Sequence, residues 1–281
     1  MATFYNQATL TYSRGVASSN IVSGEVQASV AVTKTAVGDT YSAGGSLTYV
    51  ITITNTGTAA LTDLTLTDDL GAYAFGEGTL VPLDYVDGTV LYYVGGVPQA
   101  APTVSTADGL AISGISVPAG GNATVIYGAE VNGFAPLGEG GEITNTVTLT
   151  GGIAPVTAAA TVTADSAAAL SVSKSLSPEV VSENGELTYT FVIENAGGAA
   201  GADENIVLSD TFAPILENIA VTLNGAPLAE TTGYTYDEAT GEFATVAGAI
   251  TVPAATFTQD ETSGLWSVDP GTAVVTVSGT V

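Results

Sequence analysis

The 281-residue chain has no cysteine and no histidine, and its three basic residues (Arg14, Lys34, Lys174) stand against 28 acidic ones, a net charge of 3 − 28 = −25. Each scarcity removes a class of function. Three cations cannot form the clustered Lys/Arg surface that nucleic acid or an anionic membrane requires, so neither is expected as a partner. Without His or Cys there is no thiolate nucleophile, no Ser–His pair and no nitrogen or sulfur ligand for zinc or iron. No D-x-D-x-D-G spacing suits calcium either, so no metal and no cofactor is expected. Disulfides are excluded, and an extracellular chain would need another source of durability. No run of about 18 apolar residues is present to span a bilayer. The opening MATFYNQATLTYSRG lacks a basic segment followed by an apolar stretch, so no secretory signal is read in this chain.

Apolar substance is abundant. With 46% hydrophobic and 11% charged residues and a mean hydropathy of +0.39, the chain can bury a large core despite its net charge. Apolar and polar residues alternate through LTYVITITNTG (47–57) and ATVIYGAEV (123–131), the period of half-buried strands. YTYDEATGEF (234–243) and FTQDETSGLW (257–266) read as hairpins. No amphipathic helix pattern occurs. These signals predict an all-β fold of Ig-like β-sandwich type.

Internal repetition organises the chain. VAVTKTAVGDTYSAGGSLTYVITITNTG (30–57) returns as LSVSKSLSPEVVSENGELTYTFVIENAG (170–197), with Lys34 on Lys174 and Asn55 on Asn195, offsets of 174 − 34 = 140 and 195 − 55 = 140. LTLTDDL (64–70) matches IVLSDTF (206–212), pairing Asp68 with Asp210, and GNATVIYGAEV (121–131) matches GTAVVTVSGTV (271–281). Two tandem sandwich domains follow. After Val131 the first repeat continues for about two further strands, whereas the second stops at Val281. The missing pair has its counterpart at the other end: TFYNQATLTYSRGVASSNIVSGEVQAS (3–29) resembles EITNTVTLTGGIAPVTAAATVTADS (142–166), with Asn6 on Asn145. The expected organisation is an N-terminal β-strand arm over 1–26, a complete sandwich over 27–165, and a second sandwich over 166–281 without its closing strands. An open edge and a lone arm repair each other if the row Phe4, Asn6, Ala8, Leu10 and Tyr12 docks into the second domain of a neighbouring copy. Such head-to-tail contacts build open filaments. The alternative is a closed monomer in which 3–29 fold back onto 166–281.

Strand parity then isolates the reactive residues. Lys34 lies in the row Val30, Val32, Lys34, Ala36, and Lys174 in Leu170, Val172, Lys174, Leu176. Asp68 follows Leu64 and Leu66, Asp210 follows Ile206 and Leu208, and Asn145 sits between Ile143 and Val147. Asn6 falls between Phe4 and Ala8. All occupy rows that should face a core. Burial pushes a lysine towards its neutral, nucleophilic amine and an aspartate towards its protonated form, which can shuttle protons. Attack of that amine on an asparagine amide, with loss of ammonia, gives a Lys–Asn isopeptide bond, a single-turnover self-cross-link. A buried Lys–Asp ion pair capped by Asn, with no covalent bond, is the alternative. Asp63 and Asp69 are further candidate acids in the first repeat, but parity and the second repeat favour Asp68.

The pattern K-x(n)-G-x-L-T-Y-x-I-x-x-x-N-x-G…L-x-D…N-T-x-x-L/V-T resembles the DUF11 repeat of bacterial surface proteins. The order Lys, Asp, Asn on first, middle and late strands resembles the isopeptide-forming domains of Gram-positive pilins and adhesins. The resemblance implies a bond between Lys34 and Asn145 within a subunit, with Asp68 as proton shuttle. It implies a second bond, assisted by Asp210, between Lys174 and Asn6 of another subunit. No sorting motif is read at the C-terminus, so sortase-anchored export is not supported. The expected role is the structural subunit of an extracellular bacterial fibre on a cell or spore surface, a homopolymer with no enzymatic turnover. The other reading is a monomeric surface adhesin or surface-layer module. Asn224-Gly225 and Asp237-Glu238 read as turns, Trp266 as core or a packing contact, and Arg14 as a residue of the arm's turn.

Overall fold

The computed structural model describes residues 2–26, 29–107 and 109–281 of the chain. Nearly all of its regular structure is strand, as the alternating pattern requires. The strand Ser46–Asn55 buries every second side chain, and Asn122–Val131 and Glu142–Thr150 do the same. Thr and Val suit a pleated surface because their branched Cβ packs against cross-strand neighbours.

Residues 30–164 form two facing sheets. One runs, in spatial order, through Val97–Pro98, Leu91–Val94, Asn122–Val131, Ser46–Asn55 and Val30–Val37. The other runs through Thr103–Ser105, Leu110–Val117, Leu61–Asp68, Glu142–Thr150, Val156–Ala164 and Thr40–Tyr41. Between them Ile51, Ile53 and Val125 meet Leu64, Leu66, Val147, Leu149 and Val162 in one closed cluster. The outward rows are rich in threonine, and Thr144 and Thr161 share a hydroxyl hydrogen bond of 2.8 Å across the closing hairpin.

Residues 170–281 repeat the first of those sheets, in order from its opposite edge: Leu170–Ser177, Glu186–Asn195, Gly271–Thr280, Glu217–Leu223 and Ala226–Pro227. Their core is a separate cluster that includes Tyr189, Phe212, Phe243 and Val275. Among the described residues the opposing sheet has only Ser209–Thr211, Glu242–Thr245 and Tyr234–Asp237. In the first repeat the acid-bearing strand Leu61–Asp68 is flanked by Leu110–Val117 on one side and Glu142–Thr150 on the other. Its counterpart Ser209–Thr211 pairs only with Glu242–Thr245 among the described residues. Leu170, Val172 and Leu176 are therefore 42%, 59% and 40% exposed, although they continue an apolar row.

The repeated N-x-G segment is a structural corner. Asn55 accepts from the Gly57 N–H (3.0 Å) and donates to the Ala59 carbonyl (2.8 Å). Asn195 accepts from Gly197 (3.0 Å) and from Ala169 (3.0 Å). Both are buried polar groups satisfied by backbone.

Residues 2–26 pair with themselves. Ala2–Asn6 lies against Val22–Val26 and Thr9–Tyr12 against Gly15–Ser18, a ribbon on which Phe4, Leu10, Tyr12, Val16 and Ile21 are exposed. A two-stranded ribbon with both faces in water is marginal. Both hairpins read from the sequence are present, as Tyr234–Asp237 with Glu242–Thr245 and as Thr256–Gln259 with Trp266–Asp269. The latter reaches the first repeat: the Trp266 backbone N–H donates to the Gly133 carbonyl (2.9 Å), and Gln259 donates to the Tyr73 hydroxyl (3.1 Å).

The contrast between covered and uncovered rows gives a test on the unassembled chain. Leu149→Ala, in the closed core, lowers the urea midpoint by the equivalent of about 2–5 kcal/mol. Val172→Ala, on the uncovered row, changes it by no more than about 0.5 kcal/mol. Equal losses at the two positions would contradict this architecture.

Candidate functional site

Strands from both sheets of the first repeat converge on one buried polar cluster. Lys34 projects inward from Val30–Val37, whose alternate residues face the core. Asp68 ends Leu61–Asp68 and stands in register with Val147, so Asn145, two residues earlier on that row, comes to the same place. Tyr127 stands in register with Tyr49 on the facing sheet. Lys34, Asp68 and Asn145 are all buried. The Lys34 ammonium donates to Asp68 Oδ2 (2.6 Å), the Tyr127 hydroxyl donates to the same oxygen (2.8 Å), and the Leu70 N–H donates to Oδ1 (3.0 Å). Asn145 Nδ2 donates to the Tyr127 hydroxyl (2.8 Å). The ammonium lies 4.7 Å from the Tyr49 ring centroid, and the two tyrosine rings stack at 5.4 Å. Asn145 Oδ1 and the Tyr49 hydroxyl are buried without a hydrogen-bond partner among the described residues.

Burial dominates the electrostatics here. Desolvation pulls the Lys34 pKa down to about 8, against the opposing attraction of Asp68 and Asp69. Desolvation likewise pushes Asp68 up, against Lys34, the Leu70 N–H and the Tyr127 hydroxyl. Both changes favour moving one proton along the 2.6 Å hydrogen bond, which leaves a neutral amine beside a carboxylic acid. That pair has what amide aminolysis needs, a nucleophile and a proton shuttle. Burial also raises the Tyr49 hydroxyl to about 12, so it stays protonated.

Of the three acids weighed in the first repeat, Asp68 is the one that touches the lysine. Asp69 accepts from the backbone N–H groups of Gly71 (2.9 Å) and Thr146 (2.8 Å), where it ties the acid strand to the asparagine strand. Asp63 is exposed with a positive φ of 54°.

The second repeat holds half of this arrangement. Lys174 is ion-paired with Asp210 and lies 4.5 Å from the Tyr189 ring centroid. The pair is open to solvent: the two side chains are 42% and 20% exposed, against 0% and 1% for Lys34 and Asp68. No asparagine completes it among the described residues, and Asn6 is exposed on the self-paired arm. Tyr127 and Tyr49 also line this cluster, and neither carries a charge that singles it out in the sequence. Parity carried the signal, since Tyr127 continues the row Ala123, Val125, Tyr127, Ala129, all fully buried.

No family model matches the chain and no curated protein matches it. Several solved structures resemble it weakly. The pilus backbone RrgB of Streptococcus pneumoniae is 14% identical over 86% of this chain, with a TM-score of 0.34, and this chain spans 55% of it. The full-length major pilin SpaD of Corynebacterium diphtheriae is 14% identical over 85% of this chain and 59% of its own length, at 0.35. BcpA, the major pilin subunit of Bacillus cereus, is 12% identical over 96% and 73%, at 0.34.

The shifted Lys34 predicts a pH signature in Asn145→Ala, where the amine has no amide to attack. Unfolded, Lys34 keeps its proton up to 10.5; folded, it releases it near 8. The unfolded state then binds more protons, so stability rises between pH 8 and 10 by up to about 1.4 kcal/mol per pH unit. Above 10 the tyrosines reverse the sign, because burial holds Tyr49 protonated in the fold. Urea midpoints measured across this range should rise, then fall. A flat profile between pH 8 and 10 would contradict release of the pair's proton to solvent near 8.

Proposed function

We propose that the chain is the structural subunit of an extracellular bacterial fibre, in which copies join head to tail by strand exchange and are locked by Lys–Asn isopeptide bonds. One observation carries this reading. The second repeat leaves an apolar row and a strand edge uncovered, while the chain's own N-terminal ribbon repeats the pattern of the hairpin that covers the same row in the first repeat. The arm of one copy then supplies the second domain of the next with its closing strands. Mapping Val147 opposite Asp68 and Leu149 opposite Leu66 onto the second repeat sets Ala8 opposite Asp210 and Leu10 opposite Leu208. Asn6 enters the core row beside Lys174, as Asn145 does near Lys34.

Docking would also supply the chemistry. Covering the Lys174–Asp210 pair removes it from water, which is what shifts Lys34 and Asp68 in the closed site. Each bond consumes one lysine amine and one asparagine amide and releases one ammonia. No turnover follows, so the chain is a self-modifying structural protein. The contact is heterologous and extends without limit unless it closes a ring.

Polymer boiled in denaturant and separated by size should give a ladder from the wild-type chain and only monomers from Asn6→Ala, which keeps the docking strand. A chain of residues 27–281 should not polymerise at all. Polymerisation without the arm would overturn the strand exchange, and complete release of wild-type monomers would overturn the covalent lock.

A further inference from the structure

In the first repeat no hydrogen bond joins Asp68 to Asn145 directly among the described residues. The route between them is Tyr127, whose hydroxyl gives its proton to Asp68 Oδ2 (2.8 Å) and accepts one from Asn145 Nδ2 (2.8 Å). A tyrosine has one proton, and here it is committed to the carboxylate. The group that meets its oxygen must therefore be a donor, so the amide presents nitrogen, the atom that leaves, and not the carbonyl. Asn145 Oδ1 is left free to take up charge.

Resting on the isopeptide reading above, we propose that Tyr127 is the proton relay to the leaving group in Lys34–Asn145 bond formation, and hence a catalytic residue of that step. Lys34 passes a proton to Asp68, and its neutral Nζ attacks Asn145 Cγ. A new C–N bond forms as the carbonyl pair moves onto Oδ1. With Asp68 now the acid and Nδ2 pyramidal on the tetrahedral carbon, both hydrogen bonds reverse: the Tyr127 hydroxyl takes the Asp68 carboxyl proton and delivers its own to the Nδ2 lone pair. The C–Nδ2 bond breaks, the carbonyl reforms, and ammonia leaves. The extra proton on the former lysine nitrogen returns to the Asp68 carboxylate. Ammonium, carboxylate and amide become secondary amide, ammonia and carboxylic acid, with no oxidant or co-reactant. The second repeat has no such relay: the match of 121–131 with 271–281 sets Val277 where Tyr127 stands, opposite Tyr189. The bond between subunits is then the slower of the two, and copies seat before they are locked.

Time-resolved intact mass and peptide mapping after refolding test the relay on the full chain. Tyr127→Phe keeps the stacked ring and removes the hydroxyl. It should slow loss of the first ammonia by roughly 10²–10⁴-fold, the range general acid–base steps supply. Formation of the Lys34–Asn145 bond at the wild-type rate in this variant would overturn the relay and leave the cross-link reading intact. Absence of the bond in the wild type would instead remove the reading on which the relay rests. A second measurement needs no variant. A relay moves two protons together, so the wild-type rate should fall along a bowed curve as deuterium replaces solvent hydrogen. A straight line would overturn it, as would a Lys174–Asn6 bond that forms as fast as Lys34–Asn145.

Discussion

The constraint on which the structure turns is the buried Lys34–Asp68 ion pair. Taking two charges out of water costs several kcal/mol per ion, and their attraction restores this only when the remaining donors and acceptors are satisfied. The first repeat meets that condition with a dedicated shell. Asp68 receives the ammonium, the Tyr127 hydroxyl and the Leu70 N–H, and the lysine lies over two stacked rings. Well-packed apolar residues would often serve stability as well. The placement makes sense for chemistry: the same burial that makes the pair costly brings the amine and the acid towards their neutral, reactive forms.

Water exclusion is the variable that separates the two sites. In the first repeat it comes from the hairpin Glu142–Thr150 and Val156–Ala164, which also carries Asn145. The asparagine and the dry environment therefore arrive on one element. In the second repeat the described residues include no such hairpin, and Lys174 and Asp210 remain wetted. In the proposed assembly a neighbour's arm brings both at once, so reactivity is switched on by docking and stays off in the free subunit. A net charge of −25 keeps free subunits apart. In the proposed assembly strand addition would have to overcome that repulsion, and a covalent bond would then make the join independent of it. With no cysteine in the chain, disulfides cannot take this role.

Much of this was legible from the residues alone. Alternation gave the strands, and offset repetition gave two matched units. Parity alone put Lys34, Asp68 and Asn145 on core rows, where the structure finds them buried. The exposed row Leu170, Val172, Lys174 and Leu176 shows the limit of parity, which reports the face a residue presents but not whether anything covers it. Tyr127 was missed because in the sequence it is one more apolar member of a strand. Its place between Asp68 and Asn145 appears only when register sets it beside Tyr49 and its hydroxyl spans from one to the other. The hairpin 256–269 was legible as a hairpin, but its contact with Gly133 and Tyr73 depends on how the two repeats meet, which no local pattern encodes.

The most direct test of the central claim is peptide mapping of polymer grown from an equal mixture of ordinary and fully isotope-labelled copies. If one copy's arm completes another's second domain, branched peptides joining the Asn6 segment to the Lys174 segment will include species with one labelled and one unlabelled arm. Branched peptides joining Lys34 to Asn145 will be uniformly labelled or uniformly unlabelled. Lys174–Asn6 peptides that never mix labels, or that are absent while the Lys34–Asn145 bond is complete, would contradict the account.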